Sequence, residues 1–347
     1  MSTSVKPRKK KVKKVSKSKT KAPKLEPEKL PYFEDKTPYF DEHYELVNRV
    51  NICQNGEICT IRVKQDKCLV AGKFVTPVLN PYVKREYRIH CLLDHQNVIK
   101  AFESFAYMKP GYSISLRHEV LVMEYADGGT LYHHIAHRNG GFNPSQIPGL
   151  ILQITEGLAY IHDRGFIHRD IKPANILMVN GTPKIADFGL AVAISPNRYK
   201  RFTGVLGTAP YHAPEMLAGI HYDKRYDVWS LGVTITVMVL GKNIFGINGA
   251  SHLTRLDKRI DCLKKILQKT GVPKISDFRK LRSSETFMYA NFPPLPPEQP
   301  YFLEFLRETL GNAGHDFLMR CLTVAPRRRY TSQQLLNHPY LASLIGY

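Results

Sequence analysis

The stretch "HRDIKPANILMVNGTPKIADFG", residues 168–189, decides how the rest of the chain is interpreted. It places two aspartates, a lysine and an asparagine close together among apolar residues, at Asp170, Lys172, Asn175 and Asp187. Polar side chains in apolar surroundings cost folding energy unless they have partners or a function. The stretch predicts a strand, a loop and a second strand, and such a hairpin brings Asn175 and Asp187 to one place.

These residue types suit phosphoryl transfer, which needs a metal-bound nucleotide, an aligned hydroxyl group and charge compensation on the moving phosphoryl group. In that chemistry Asp170 orients the hydroxyl group and accepts its proton, while Lys172 reaches the γ-phosphate. Asn175 and Asp187 are the candidate Mg²⁺ ligands. Any one of the four residues alone would be uninformative, but together, at this spacing, they are a specific signal.

The pattern H-R-D-x-K-P-x-N, followed twelve residues later by D-F-G, resembles the eukaryotic protein kinase family of serine/threonine type. The resemblance extends over residues 44–341. It implies an α+β, bilobal fold with a small β-rich N-lobe, one regulatory helix and a larger α-helical C-lobe. It also implies ATP and Mg²⁺ as cofactors and transfer of the γ-phosphoryl group to protein hydroxyls. Thr208 matches the threonine that such kinases place near Asp170.

The resemblance assigns a nucleotide site to residues of the N-lobe and the hinge. Lys73 in "VAGK" matches the lysine that holds the α- and β-phosphates, and Glu86 matches the helix glutamate that pairs with it. "LVMEYA" resembles the hinge, with Met123 as gatekeeper and the backbone of Glu124 and Ala126 meeting adenine. The remaining residues assigned to the nucleotide are Gly56, Ile58, Ala71 and Leu177.

Two further motifs of the family imply structural contacts. Glu215 in "APE" corresponds to a glutamate with a buried arginine partner, for which "APRRR" offers Arg329. Asp227 in "YDVWSLG" corresponds to the aspartate that ties down the backbone of the catalytic loop. We therefore expect both to stabilise the fold without taking part in the chemistry.

The chain departs from the family in the loop that covers the phosphates. The segment "NICQNGEI" has Asn51 and Cys53 where glycines are usual, and only the third glycine, Gly56, is present. Glycine lets backbone N–H groups approach a phosphate closely. The departure predicts weaker ATP binding or a different loop conformation. It also keeps open a catalytically inactive binding or scaffold kinase as the alternative function.

A second departure concerns the regulatory helix. His90 stands four residues after Glu86, where the family usually has a large apolar residue that lines the back of the helix. Ala101 stands where another apolar residue of the family's hydrophobic spine is usual. An underpacked helix predicts a resting state in which Glu86 is held against Lys73 only by an activating partner.

The charge of the chain is unevenly distributed. The net charge is +20, and residues 1–24 carry eleven Lys and Arg without an Asp or Glu. "PRKKKVKK", residues 7–14, predicts nuclear localisation or non-specific contact with nucleic acid, against the alternative of a merely solvated tail. A nucleic-acid-binding protein in which the kinase fold is incidental is a third possible function.

The longest apolar run, at 228–240, is too short to span a bilayer, which argues against a membrane protein. The six cysteines contain no C-x-x-C and predict neither a zinc site nor a redox pair.

Hydrophobic periodicity predicts a mostly β part followed by a mostly α part. Strands are expected from residue 44 to about 122, with one helix at about 83–93 after Pro81. Helices are expected at 150–162, 228–240, 259–269, 302–310 and 315–322. The repeated "PYFED" and "PYFDE" predict that aromatic and acidic residues attach this segment to the folded body, unless the repeat is chance. The domain prediction is a disordered basic tail (1–30), a lead-in segment (31–43), the N-lobe (44–124), the C-lobe (125–341) and a C-terminal end (342–347).

Regulation and substrates are predicted from the activation segment, residues 187–215. It holds the candidate phosphorylation sites Ser195, Tyr199 and Thr203. In related kinases the arginine at the position of Arg169 binds the phosphate group on this loop. The alternative is activation by a regulatory subunit without a loop phosphate. A basic cluster in the same segment predicts acidic or already phosphorylated protein substrates. "GTAPYHAPEML" and "CLKKILQKTGVP" are similar to cell-division-cycle and replication-initiation kinases, which suggests a role in the cell cycle.

Overall fold

We describe the protein from a computed structural model. The structure describes residues 37–53, 56–75, 80–108, 117–137, 142–194, 206–246, 254–270 and 301–344. The predicted basic tail, the three candidate phosphorylation sites, the first copy of the aromatic-acidic repeat and the basic cluster of the activation segment lie outside these residues. Among the described helices, none is both long and apolar enough to cross a membrane.

The N-lobe is built on a five-stranded antiparallel sheet with the order β1-β2-β3-β5-β4. Its elements are β1 (Tyr44–Cys53), β2 (Gly56–Val63), β3 (Leu69–Val75), α2 (Asn80–His90), β4 (Ala101–Met108) and β5 (Arg117–Glu124). The sequence predicted helix α2 but placed it three residues too late. Pro81 lies inside the first turn, where its missing N–H group is harmless, so the helix begins before the proline.

A short helix that the domain prediction assigned to the lead-in segment covers the outer face of this sheet. In α1 (Thr37–His43), Phe40 is buried against Phe74 and Tyr107, and the hydroxyl group of Tyr39 donates to Glu103 at 3.0 Å. The aromatic half of the second repeat therefore attaches the segment to the sheet, whereas its acidic residues, 41 and 42, are exposed.

The C-lobe is mainly helical. Its helices are α3 (Leu131–His137), α4 (Ile147–Asp163), α5 (Pro214–Leu217), α6 (Arg225–Leu240), α7 (Arg255–Thr270), α8 (Tyr301–Cys321), α9 (Ser332–Leu336) and α10 (Pro339–Ala342). The predicted apolar face of α4 is buried, and α6 is buried along almost its whole length. Gly311, with φ of 71°, interrupts α8, which explains why the periodicity there predicted two helices.

Two small antiparallel sheets position the candidate site residues between the lobes. Strand β6 (Phe166–Ile167) pairs with β9 (Val192–Ala193), and β7 (Ile176–Val179) pairs with β8 (Thr182–Ile185). The β7–β8 hairpin is the one that the opening stretch predicted. Ile176 lies opposite Ile185, so Asn175 and Asp187 lie just beyond the open end of the hairpin.

Candidate active site

The loop between β6 and β7 is held in place by the side chain of Asp227 on α6. The carboxylate of this fully buried residue accepts hydrogen bonds from the backbone N–H groups of His168 and Arg169, both at 2.8 Å. Arg169 has φ of 71°, a left-handed conformation that is unfavourable for a residue with a side chain. The two hydrogen bonds offset that strain and hold the next residue, Asp170, in place. The contact implied by the family resemblance is therefore present.

Asp170 is the centre of a polar cluster formed by the catalytic loop and the segment before α5. Lys172 Nζ lies 2.7 Å from Asp170 Oδ2 and 2.8 Å from Thr208 Oγ1, and the Thr208 hydroxyl group donates to Asp170 Oδ1 at 3.1 Å. Asn175 Nδ2 donates to the backbone oxygen of Asp170 at 2.9 Å and to its Oδ2 at 2.8 Å. All the partners are donors, and together they fix the orientation of the Asp170 carboxylate.

A second cluster joins the regulatory helix to the activation segment. Lys73 Nζ on β3 lies 2.8 Å from Glu86 Oε2 on α2 and 2.9 Å from Asp187 Oδ1. Burial by itself would lower the pKa of Lys73, but the two carboxylates outweigh it and raise the pKa above its ordinary value. Burial would likewise raise the pKa of Asp187, but the ammonium group of Lys73 lowers it to about 2. Lys73 and Asp187 are therefore charged at neutral pH, whereas burial outweighs the ammonium group of Lys73 at Glu86 and raises the pKa of that carboxyl group above its ordinary value.

The predicted resting state, with Glu86 held against Lys73 only by a partner, differs from this structure, in which the pair is formed within the chain itself. Two of the contacts of α2 join it to the segment that follows Asp187. The guanidinium group of Arg85 donates to the backbone oxygen of Gly189. The His90 ring packs edge-on against Phe188, with 4.7 Å between ring centroids.

His90 continues a column of rings through the lobe interface. Phe188 is fully buried and packs in turn against the ring of His168 at 4.9 Å. Burial, with a smaller contribution from Lys73, lowers the pKa of His90 to about 3, while the Ile99 backbone and Asp187 act in the opposite sense. The imidazole is therefore neutral and fills the apolar position that the sequence left in doubt.

The residues assigned to adenine lie around the end of β5. Met123 is paired with Ala71 of β3 in the sheet register, and both belong to one small apolar cluster. Ala126 and Leu177 pack against a second cluster that contains Ala186, the residue before Asp187. Ile58 lies opposite Lys73 on the neighbouring strand.

The structure explains why only the third glycine of the phosphate-covering loop is present. Gly56 has φ of 144°, and a Cβ atom added to it would lie 1.9 Å from the backbone oxygen of Phe74. Asn51 pairs with Ile58, directly after an irregularity in the strand register, and Cys53 pairs with Gly56. The first two positions therefore belong to the β1–β2 pairing, whereas the β2–β3 contact excludes a side chain at the third.

The structural ion pair implied by the resemblance is confirmed. Arg329 Nη1 lies 2.6 Å from Glu215 Oε1, and Nη2 lies 2.9 Å from Oε2. Two contacts near the site were not predicted, those of Arg85 with Gly189 and of Lys184 with Glu124. In each contact the two residues are far apart in sequence, and no motif signals either contact.

Comparison with known proteins agrees with this geometry. A model of the protein kinase domain matches residues 44–341. The mitogen-activated protein kinase HOG1 of Phaeosphaeria nodorum is 32% identical over 294 residues, which cover 83% of this chain and 76% of the relative. The mitogen-activated protein kinase HOG1B of Wallemia ichthyophaga is 31% identical over 294 residues, covering 83% and 73%. The p38b kinase of Drosophila melanogaster is 28% identical over 310 residues, covering 86% and 80%. The family match spans residues 44–341, and two of these kinases are more than 30% identical to this chain over 294 aligned residues, so the chain belongs to the protein kinase domain family and is a serine/threonine protein kinase.

Proposed function

We propose that this kinase transfers the γ-phosphoryl group of ATP to serine and threonine hydroxyls of proteins in a Mg²⁺-dependent reaction. The observation that carries the proposal is the assembled state of the two polar clusters. Asp170 is oriented by Lys172 and Thr208, while Lys73 is paired with Glu86 beside Asp187. Phosphoryl transfer depends mainly on positioning and electrostatic stabilisation, and both clusters are already built for it.

In this proposal Asp170 receives the substrate hydroxyl group, orients it and accepts its proton. Lys172 lies between Asp170 and Thr208, so its ammonium group is placed to compensate charge on the phosphoryl group as it moves. Thr208 links the activation segment to the catalytic loop, which makes the position of Asp170 depend on the fold of that segment.

Asn175 and Asp187 fit the proposed Mg²⁺ site by their donor chemistry, since Mg²⁺ prefers oxygen ligands. The Nδ2 group of Asn175 is used by Asp170, so its amide oxygen is left as the ligating atom. Asp187 is ionised and follows the hairpin end that places it near Asn175. A bound Mg²⁺ ion would neutralise charge on the phosphate oxygens.

We assign the α- and β-phosphates to Lys73 and the adenine edge to the backbone of Glu124 and Ala126. Ile58, Ala71 and Leu177 would cover the faces of the base. Gly56 would let the loop approach the phosphates, and Glu86 would act through Lys73.

The deciding experiment is transfer of radioactive phosphate from labelled ATP to a mixed protein substrate by the purified full-length chain. Asp170→Asn should abolish transfer, while Asp94→Asn, which changes an exposed carboxylate outside both clusters, should not. Removal of Mg²⁺ by a chelator should also abolish transfer, and added Mg²⁺ should restore it. Full transfer by Asp170→Asn would contradict the assignment.

The basic tail supports a nuclear location, with contact to nucleic acid as a secondary, non-specific property. Replacing Lys9, Lys10 and Lys11 with alanine should shift a fluorescent fusion out of the nucleus. An unchanged nuclear signal would exclude the tail as the import element. A role in the cell cycle rests on the similarity of two segments to cell-division-cycle kinases, and it would then lose only the weak additional support of the tail.

Acidic or already phosphorylated substrates are supported by the basic residues Arg198, Lys200 and Arg201 of the activation segment. A peptide array that shows equal or better phosphorylation of Arg- and Lys-rich sequences than of acidic ones would exclude this preference.

The two proposed modes of activation are phosphorylation of Thr203 and binding of a regulatory subunit. Arg169, the residue proposed to bind the loop phosphate, already donates to the backbone oxygen of Leu190 at 2.7 Å and to the Tyr222 hydroxyl group at 3.3 Å.

A further inference from the structure

The hinge between the lobes carries an ion pair that belongs to neither polar cluster. Lys184 Nζ lies 2.7 Å from Glu124 Oε1 and 2.9 Å from Glu124 Oε2, so the ammonium group contacts both carboxylate oxygens. The two side chains are only 16% and 23% exposed. Lys184 comes from β8 of the C-lobe and Glu124 is the last residue of β5, so the contact joins the lobes at the point where the chain passes between them.

Glu124 is also fixed on its other side. Its backbone N–H group donates to the Lys100 oxygen at 2.8 Å, and its Oε2 accepts from the Lys100 N–H group at 3.3 Å. The carboxylate of Glu124 thus bridges the backbone before β4 and the side chain of Lys184. Loss of the ammonium group would leave this carboxylate with one weak partner, and it would turn toward water.

The strand that carries Lys184 is firmly attached to the same region. Ile99 N–H donates to the Ile185 oxygen at 2.9 Å, and Ile185 N–H donates to the Asn97 oxygen at 2.8 Å. Lys184 is paired in register with Leu177, and Asp187 follows three residues after it. The ion pair therefore connects the hinge backbone to a hairpin that carries a residue of the adenine site and leads to a metal ligand.

We propose that Lys184 is a positioning residue for nucleotide binding, acting through Glu124 to hold the hinge backbone at a fixed distance from Leu177 and Asp187. This inference rests on the proposed function, because it assigns the hinge to adenine. A site that adopts its binding conformation for a smaller fraction of the time loses affinity by that fraction. The contacts of Lys184 end at the hinge, so the reaction step at Asp170 is expected to keep its rate once ATP is bound.

The test compares full-length wild type with Lys184→Met for ADP affinity by calorimetry in the presence of Mg²⁺, and for kcat and KM of ATP. We expect the Kd of ADP and the KM of ATP to rise about three- to tenfold, the range of a partly buried charged pair, with kcat within about twofold. Glu124→Gln, which removes the same charge pair from the other side, should give the same shift. Lys184→Arg should keep most of the affinity.

Lys184→Glu alone and Glu124→Lys alone each place two like charges together and should lose ADP affinity. The double variant with both exchanges restores opposite charges at the same place and should recover part of that affinity. Lys242→Met, at an exposed lysine of the C-lobe, is the matched control and should bind ADP like wild type. Unchanged ADP affinity in both Lys184→Met and Glu124→Gln would overturn the positioning role. A fall in kcat with unchanged affinity would also overturn it. Wild type that binds no ADP would instead overturn the proposed function, and this inference with it.

Discussion

Two of the buried ion pairs among the described residues look alike in distance but differ in their surroundings. Lys73 lies 2.8 Å from Glu86 in the cleft between the lobes, and Arg329 lies 2.6 Å from Glu215 inside the C-lobe. In both pairs the side chains are almost fully withdrawn from water. Distance and burial alone do not distinguish a pair that serves the chemistry from one that serves the fold.

The remaining hydrogen-bond donors of the two cations do distinguish them. The other N–H groups of Arg329 donate to backbone oxygens of Thr323, Val324 and Arg225, so the guanidinium group is surrounded by fixed partners. Lys73 instead makes its third contact with the carboxylate of Asp187, a residue that we assign to the metal. Because Asp187 is assigned to the metal, the contact of Lys73 with it can give way to a phosphate, whereas the further contacts of Arg329 beyond Glu215 are all with backbone oxygens of the fold.

The largest effect is expected from Lys73→Met, which should lower phosphoryl transfer per folded molecule at least about a hundredfold. The reason is the loss of a preorganised positive charge at the phosphates, and such groups contribute factors of about 10² to 10³. Activity should be normalised to the folded fraction, measured by circular dichroism, because Glu86 also loses its partner. Transfer near the wild-type rate would show that this pair is structural like that of Arg329.

The second largest effect is expected from Arg329→Met, and it should appear in stability. Breaking a buried pair by removing one partner costs about 3 to 5 kcal/mol, since Glu215 would stay buried without compensation. The free energy of unfolding in urea measures this loss, while transfer per folded molecule should remain within severalfold of wild type.

A double variant makes the same point more sharply. Arg329→Met combined with Glu215→Leu replaces the pair by apolar side chains and should recover most of the lost stability. Failure of the double variant to recover any stability would mean that the backbone contacts of Arg329, and not its charge pair, hold this part of the lobe.

The comparison also shows which features a sequence can reveal. Asn175 and Asp187 were placed together correctly because a short hairpin joins them, and a hairpin is encoded by neighbouring residues. The Glu215 and Arg329 partners are 114 residues apart, and only a family motif signalled that contact. The bond between Lys184 and Glu124 spans 60 residues without any motif, so it appeared only in the folded structure.

The phosphate-covering loop and the regulatory helix were harder to predict for the same reason. The need for glycine at position 56 comes from the backbone oxygen of Phe74 on the neighbouring strand, which local sequence does not report. The formed Lys73–Glu86 pair depends on Arg85 and His90 contacting the segment after Asp187. Tertiary contacts decided both features, and propensity and periodicity do not carry that information.

The smallest effect concerns a buried polar group that has no charge partner, His90. Neither ring nitrogen has a hydrogen-bond partner of ordinary geometry among the described residues. A buried polar group without a partner costs about 1 to 3 kcal/mol. His90→Leu should therefore raise the free energy of unfolding at pH 7.5 by about 1 kcal/mol, in contrast to the loss expected at either ion pair.

The pH dependence of this variant separates the imidazole charge from simple packing. The pKa of His90 is about 3 in the folded chain against 6.5 for an ordinary histidine, so between these values the unfolded chain binds the extra proton. This contribution to wild-type stability must then fall as the pH drops below about 6.5, by up to about 1.4 kcal/mol per pH unit, and His90→Leu must lack that part of the fall. Urea unfolding of both proteins between about pH 4.5 and 7.5 avoids the range in which Asp187, with a pKa of about 2, begins to be protonated.

His221→Leu, at an exposed histidine of the C-lobe, is the control, and its stability should change with pH in parallel with that of wild type. Parallel curves for His90→Leu and wild type would mean that the folded chain protonates His90 without penalty, and the ring would then have a partner that compensates its charge.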